Sequence, residues 1–213
     1  MTSYDNFAHT FSESRKNMKW EEIEYFLKKY APFWNVLDVG CGNGRLFGEF
    51  KNQENCFQNY LWIDASEKLL DEATKLHWNH FQVLDMRDLK NLWNKQYDSI
   101  FLIASFHHLE SMQERLQVLQ DSYTLLKKWG KIFMTNWALE SDFNKEKYNE
   151  SKILRSENEF GSSDFFIKIG EFQRFYHCFS LQELQKLGEK TLFQILENRV
   201  FETEKNLISI LEK

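Results

Sequence analysis

The chain has 213 residues, 42% of them hydrophobic and 28% charged, which suits a folded α/β domain with one modest insertion and excludes a disordered polymer. Its net charge of −5 supplies no basic field for unaided nucleic-acid binding. Average usage would give about 15 glycines and about 10 prolines at this length, whereas the chain has 8 and 1, alongside 7 tryptophans and 20 phenylalanines.

In chain order, the first 15 residues lack the apolar core of a signal peptide, and no apolar run is long enough to span a bilayer. Cys41, Cys56 and Cys178 are unclustered, so neither a disulfide framework nor a metal site is expected. A cytoplasmic protein with no membrane partner follows. Residues 20–30 place apolar side chains at helical spacing. Residues 35–39 form a short apolar run ending in a glycine-rich turn, the pattern of a buried parallel strand. Residues 60–64, 81–84 and 98–104 predict three more strands, the last with both faces covered, and Ser66 caps a helix running to about residue 76.

Ser111-Met-Gln-Glu114 is a capping box that opens a helix to about residue 127, and residues 131–136 predict a fifth strand. Ser180-Leu-Gln-Glu183 repeats the capping-box pattern for a helix to about residue 188. Residues 192–201 and 206–212 then predict a closing antiparallel hairpin. Between these elements, residues 138–176 fit no βαβ unit. They are polar and then aromatic, with six Lys/Arg against eight Asp/Glu between Glu140 and Cys178. They read as an insertion over the C-terminal edge of the sheet, where open α/β sheets bind ligands. The whole, residues 1–213, is expected to be one domain with an N-terminal segment over residues 1–30.

The sharpest motif is Asp38-Val-Gly40-Cys41-Gly42-Asn43-Gly44, directly after the first strand. Glycines admit positive φ and let backbone N–H groups approach a ligand closely. A dinucleotide fingerprint would need glycine where Arg45 stands, and a phosphate loop would need Gly-Lys-Ser/Thr. The acid before the first glycine suits a cationic ligand group instead of a pyrophosphate. Asp64 ends the second strand, where a carboxylate can accept from ribose hydroxyls. Asp85 follows the third, where it can accept from an exocyclic amine beside the Met86 N–H. An ammonium, a ribose and an adenine in that order describe S-adenosylmethionine.

These residues resemble the class I S-adenosylmethionine-dependent methyltransferases over about residues 33–137, most specifically in V-L-D-V-G-C-G-N-G-R. The resemblance implies a doubly wound, mostly parallel seven-stranded sheet with a C-terminal antiparallel hairpin and an insertion after strand five. It puts Asp38, Gly40, Cys41, Gly42 and Gly44 at the methionine end, Asp64 and Ala65 at the ribose, Asp85 and Met86 at the adenine, and Ala104 beside the cofactor. A narrower likeness is carried by Tyr4-Asp5…Phe11-Ser12-Glu13-Ser14-Arg15…Trp20, by His107-His108, by Asn136-Trp137-Ala138-Leu139 and by Arg174-Phe175-Tyr176-His177. It looks like the tRNA wobble-uridine carboxymethyl methyltransferases, in which the N-terminal Tyr and Arg help close over the cofactor. Tyr4 and Arg15 would take that role.

Methyl transfer is an in-line displacement whose main requirement is alignment. A carboxylate acceptor, as this resemblance implies, is already ionised and needs no base. An amine or hydroxyl acceptor would use one, with His107 and His108 as candidates. Trp137, Arg174, Tyr176 and His177 are the candidate substrate contacts, Arg174 because it can grip a carboxylate with two hydrogen bonds. Three functions stand open. One is tRNA methylation, with a small partner subunit supplying phosphate contacts; the others are methylation of a small-molecule acceptor and non-catalytic cofactor binding. Trp62 and Trp129 stand where the resembled family carries glycine, while Trp34 and Trp78 sit in turn-like places. Either these tryptophans are genuine, or UGA codons that the source reads as glycine have been translated as tryptophan.

Overall fold

The structure, a computed structural model, describes residues 8–15, 20–50, 56–77 and 81–213; Tyr4, Asp5 and Trp78 lie outside the described residues, as do the side chains of Phe11, Ser14 and Arg15. Helix α1 (Ala8–Arg15) precedes α2 (Glu21–Tyr30). Helix α2 buries Ile23, Phe26 and Leu27 on one stripe. It carries Glu21, Glu22 and Glu24 in its first turn and Lys28 and Lys29 in its last, the charge order its dipole favours. There follow β1 (Trp34–Val39), α3 (Arg45–Phe50), β2 (Phe57–Asp64), α4 (Glu67–Leu76), β3 (Phe81–Val83), β4 (Tyr97–Ile103), α5 (Met112–Leu125) and β5 (Leu126–Trp137). The remainder is α6 (Lys145–Tyr148), β6 (Ser163–Ile169), β7 (Phe172–Cys178), α7 (Leu181–Lys190), β8 (Gln194–Val200) and β9 (Asn206–Glu212).

Seven strands form one sheet in the order β3-β2-β1-β4-β5-β9-β8, parallel except where β9 pairs antiparallel with β5 and β8. The order reverses between β1 and β4, so the ends of these two strands flank the crevice where such sheets take ligands. Side chains alternate across the sheet. Leu37, Val39, Ile100, Leu102, Ile132 and Met134 pack with Val118 and Leu119 of α5 and Leu184 and Leu187 of α7. Val36, Phe101, Phe133, Ile208 and Ile210 pack with Ile23, Phe26 and Leu27 of α2. Covering both faces satisfies the near-continuous apolar character of the central strands.

Three expectations are adjusted. The fifth helix ends at Leu125, not near residue 127, because Leu126 already pairs with Tyr97 in the sheet. Ser111 and Glu114 form a full capping box, whereas Ser180 caps α7 through the Glu183 N–H while the Glu183 carboxylate is drawn into a buried ion network. The insertion is ordered around an antiparallel pair, β6 with β7, whose Phe165 and Tyr176 make a local core with Leu139, Ile167 and Cys178.

The tryptophans divide. Trp34 (φ +55°) and Trp129 (φ +67°) are more than half exposed and occupy the left-handed region that favours glycine. Trp62 is fully buried on β2, edge-on to Tyr60 and His77 and tilted against Phe47.

Candidate active site

The turn after β1 is tied to β2, with Gly40 N–H and Cys41 N–H donating to Ile63 O at 2.9 and 3.0 Å. Gly40 has φ +72°, and a Cβ there would fall 2.6 Å from Ser105 Cβ, so a side chain would collide with the segment after β4. Gly44 has φ +76°, and its Cβ would meet the Trp62 ring at 2.6 Å. Gly44 therefore backs onto the interior beneath the turn and is outside the lining of the cavity. Gly40, Cys41 and Gly42 do line it.

The cavity has a volume of about 950 Å³, near the upper end for a small-molecule site. Asp38, Asp64, Ala65, Asp85, Met86 and Ala104 line it. Asp38 is buried and accepts from the Tyr60 hydroxyl at 3.0 Å; burial pushes its carboxyl up to about 7, with the negative charge of Asp64 adding to the rise. Asp64 Oδ2 accepts from Gly42 N–H at 2.9 Å and Oδ1 from Ser66 N–H at 2.8 Å, which fixes the plane of its carboxylate. Asp85 accepts from the backbone and Nε of Arg87, both at 2.9 Å, and from Arg87 Nη2 at 2.5 Å. Burial opposes its ionisation, but these Arg87 contacts prevail and hold it below the usual carboxylate range.

The cavity is also lined by His107, His108, Trp137 and Arg174. The histidines follow β4 in a 3-10 turn (Phe106–His108), Trp137 ends β5, and Arg174 lies on β7. Arg174 Nη2 lies 3.1 Å from His108 Nε2 and also donates to the Tyr176 hydroxyl. Tyr176 is fully buried behind it and stacks on Trp137 at 4.9 Å with 19° between the planes, so it supports the site without lining it. His177 faces away and does not line the cavity: its register partner Asp164 takes Nδ1 at 2.6 Å and Glu183 takes Nε2 at 3.0 Å. Both ring nitrogens are thus engaged by carboxylates, and His177 is not brought to the cavity wall with Arg174.

Tyr60, Lys147, Lys205 and Phe143 were not anticipated here. Tyr60 stands on β2 two residues before Trp62, the register partner of Asp38. A tyrosine two positions along a predicted neighbouring strand is the only signal that could have found it. Lys147 and Lys205 line the cavity with their ammonium groups over the rings of Tyr148 and Phe143, at 5.0 and 5.3 Å. Phe143 (58% exposed) and Phe166 (47% exposed) line it as well. At the N-terminal side, Asn43 Nδ2 donates to Ser12 Oγ of α1 at 2.9 Å, and the Arg45 guanidinium lies 4.1 Å from the Trp20 ring centroid.

A family model described as a methyltransferase domain matches residues 37–134. Among solved structures, an S-adenosylmethionine-dependent methyltransferase from Clostridium acetobutylicum superposes with a TM-score of 0.66 at 17% identity, covering 98% of each chain. A Haloferax volcanii methyltransferase, solved in complex with a methyltransferase activator, does so with a TM-score of 0.71 at 12% identity over 98% of this chain and 96% of that one. The chain thus carries a methyltransferase domain over residues 37–134 and shares its fold with S-adenosylmethionine-dependent methyltransferases. It is similar to a Xenopus tropicalis protein named tRNA (carboxymethyluridine(34)-5-O)-methyltransferase, 33% identical over 71% of this chain and 22% of that one. The Schizosaccharomyces pombe protein of that name is 29% identical over 92% of this chain and 88% of that one. The chain spans only about a fifth of the length of the Xenopus relative (22%) and of a Macaca fascicularis relative of the same name (21%).

Proposed function

We propose that this chain transfers the methyl group of S-adenosylmethionine to a carboxylate on a modified uridine at the wobble position of tRNA. The observation that carries the acceptor is Arg174, a guanidinium in the wall of the same cavity as the three acids, fixed by His108 and Tyr176. A guanidinium so placed recognises a carboxylate and holds it by charge-assisted hydrogen bonds. The cavity fits the cofactor: the turn at Gly40 has no room for a side chain, and a buried acid, a fixed carboxylate and a strand-end acid follow one another along the wall. Asp38 with Gly40 and Gly42 would hold the methionine end, Asp64 and Ala65 the ribose, Asp85 and Met86 the adenine, with Ala104 alongside. When bound, the cofactor supplies an electrophilic methyl on its sulfonium. Tyr4 and Arg15 belong to this reading as closing residues through the family resemblance alone.

The tRNA reading is supported by the names of the relatives and by the exposed Phe143 and Phe166 beside Lys147 and Lys205 at the cavity, which offer ring faces and cations to an unstacked nucleotide. Because the net charge is −5, a basic partner subunit is part of the reading. The Haloferax neighbour is seen with an activator. Such a subunit finds a place at β3, which ends the sheet and leaves Phe81 and Val83 exposed. We place the activity in the cytoplasm, and among the described residues no helix is long and apolar enough to cross a membrane. A small-molecule acceptor is the second reading, favoured by Glu21, Glu22 and Glu110 in the cavity lining, which would repel a polyanion.

Labelled cofactor incubated with the protein and total tRNA, then with a metabolite extract, separates the readings. Base-labile label at the wobble nucleotide is the expected result. Label only in the metabolite fraction supports the second reading, and none in either despite measurable cofactor binding identifies a non-catalytic binder.

A further inference from the structure

The structure assigns His108 as the positioning residue for Arg174, held in one neutral tautomer as a hydrogen-bond acceptor, so that it does not serve as a general base. The assignment follows from its two partners. Nδ1 lies 2.9 Å from Phe175 O. A carbonyl oxygen only accepts, so Nδ1 carries the proton. Nε2 lies 3.1 Å from Arg174 Nη2. A guanidinium only donates, so Nε2 presents its lone pair. The lone pair that a general base would use is thus directed at a permanent cation.

The surroundings oppose a second proton. The ring lies 4.5 Å from His107 and 4.6 Å from Tyr176, with the Arg174 guanidinium on Nε2. Of these three neighbours none is a carboxylate. Burial, reinforced by the Arg174 charge and only partly offset by the Phe175 carbonyl, lowers its proton affinity to about 3. His107 is locked in the other tautomer. Trp137 N–H donates to its Nδ1 at 3.2 Å, so its proton sits on Nε2, a buried donor. Burial, with His108 and Arg174 adding, holds His107 well below the ordinary imidazole value. The expectation that either histidine is a base is therefore replaced by a division of labour: His108 orients the cation, and His107 presents an N–H.

This inference rests on the reading in which Arg174 receives the carboxylate of the acceptor. Such an acceptor arrives ionised and leaves no proton to be moved. Its arm of the hydrogen-bond chain runs Phe175 carbonyl, His108, Arg174, with the Tyr176 hydroxyl as the second holder of Nη2.

Two measurements test it. Nitrogen-15 NMR of the imidazoles, taken without acceptor, should show His108 as the neutral Nδ1–H tautomer from pH 8 down to about 4.5; titration near the ordinary value of about 6.5 would overturn the assignment. Kinetically, His108→Leu should raise KM for the carboxylate acceptor about tenfold or more with a smaller change in kcat. His108→Gln, which keeps an acceptor atom for Arg174, should stay within about threefold of wild type. A wild-type kcat/KM that climbs with pH through an ionisation abolished in His108→Gln would show a base and sink the inference. So would an unchanged KM in a folded His108→Leu. Should the wild type methylate no carboxylate while the NMR shows the locked tautomer, the acceptor reading fails and the assignment of His108 stands.

Discussion

Asp38 keeps its carboxyl in an enclosed part of the cavity, with Tyr60 as hydrogen-bond donor and Asp64 as a nearby like charge. Its value of about 7 lies above the unfolded 3.8, so the folded chain binds the extra proton between those limits. Its contribution to stability is therefore full below about pH 4 and declines as pH rises towards 7. A cationic ligand group placed against it reverses the preference. Cofactor binding near pH 6.5 should release up to about one proton, read by calorimetry in buffers of differing ionisation enthalpy, and Asp38→Asn should abolish the release while weakening binding about tenfold or more. At the same scale, Trp129 sits with a glycine-like φ of +67°, whereas Trp62 is packed and enclosed. Trp129→Gly should be stabilising by about 0.5–1 kcal/mol, the relief of left-handed strain exceeding the entropy that glycine loses. Trp62→Gly should cost about 3–5 kcal/mol or more. Denaturant melts of the two variants give both numbers. A Trp62→Gly variant as stable as the parent would favour glycine as the natural residue at 62, which UGG codons at 62 and 129 would exclude.

The elements around the insertion are joined by charge. Arg115 of α5 donates to Glu183 of α7 at 3.1 Å, and Glu183 also accepts from Asn158 at 2.8 Å and pairs with His177 of β7 at 3.0 Å. Glu183 is fully buried, and although burial alone would raise its pKa, the bonds from His177, Ser162 and Asn158 bring it down to about 2. Its stabilising contribution is thus complete above about pH 4.5 and is lost as pH falls towards 2. Glu183→Gln leaves the Arg115 cation buried without its anion and should cost about 3–5 kcal/mol, with the acid limb of the stability–pH curve flattened. Chemical denaturation between pH 2.5 and 7 measures both effects. The sequence showed Glu183 only as half of a capping box, because a capping box is a local pattern and Arg115 lies 68 residues away. Much else was legible for the same reason. The strand–turn motif at Asp38, the caps at Ser66 and Ser111 and the closing hairpin are decided by neighbours in the chain. Gly44 was assigned to the ligand because the turn is local, while the Trp62 ring that requires glycine there comes from another strand. His177 was placed with Arg174 because they are close in sequence, whereas its ring is held by Asp164 and Glu183, which lie farther from it in the chain.

Over the whole molecule the two ends of the sheet differ. The β8 end is held by Glu197, which accepts from both Tyr25 and Tyr30 of α2 and pairs with Lys29 at 2.6 Å. The β3 end is short and exposes Phe81 and Val83 on a strand whose outer edge is unpaired among the described residues. Without a partner subunit this edge should promote concentration-dependent self-association. Val83→Lys should suppress that in sedimentation velocity while leaving cofactor affinity unchanged, and an identical concentration dependence would remove β3 from consideration. The ion network around Glu183 has one more consequence, for kinetics. A wall joined to α5 and α7 by buried charges is costly to displace, so an acceptor should meet a preformed surface. Association at that wall should follow a single exponential whose rate rises linearly with acceptor concentration, as for a lock already cut to its key.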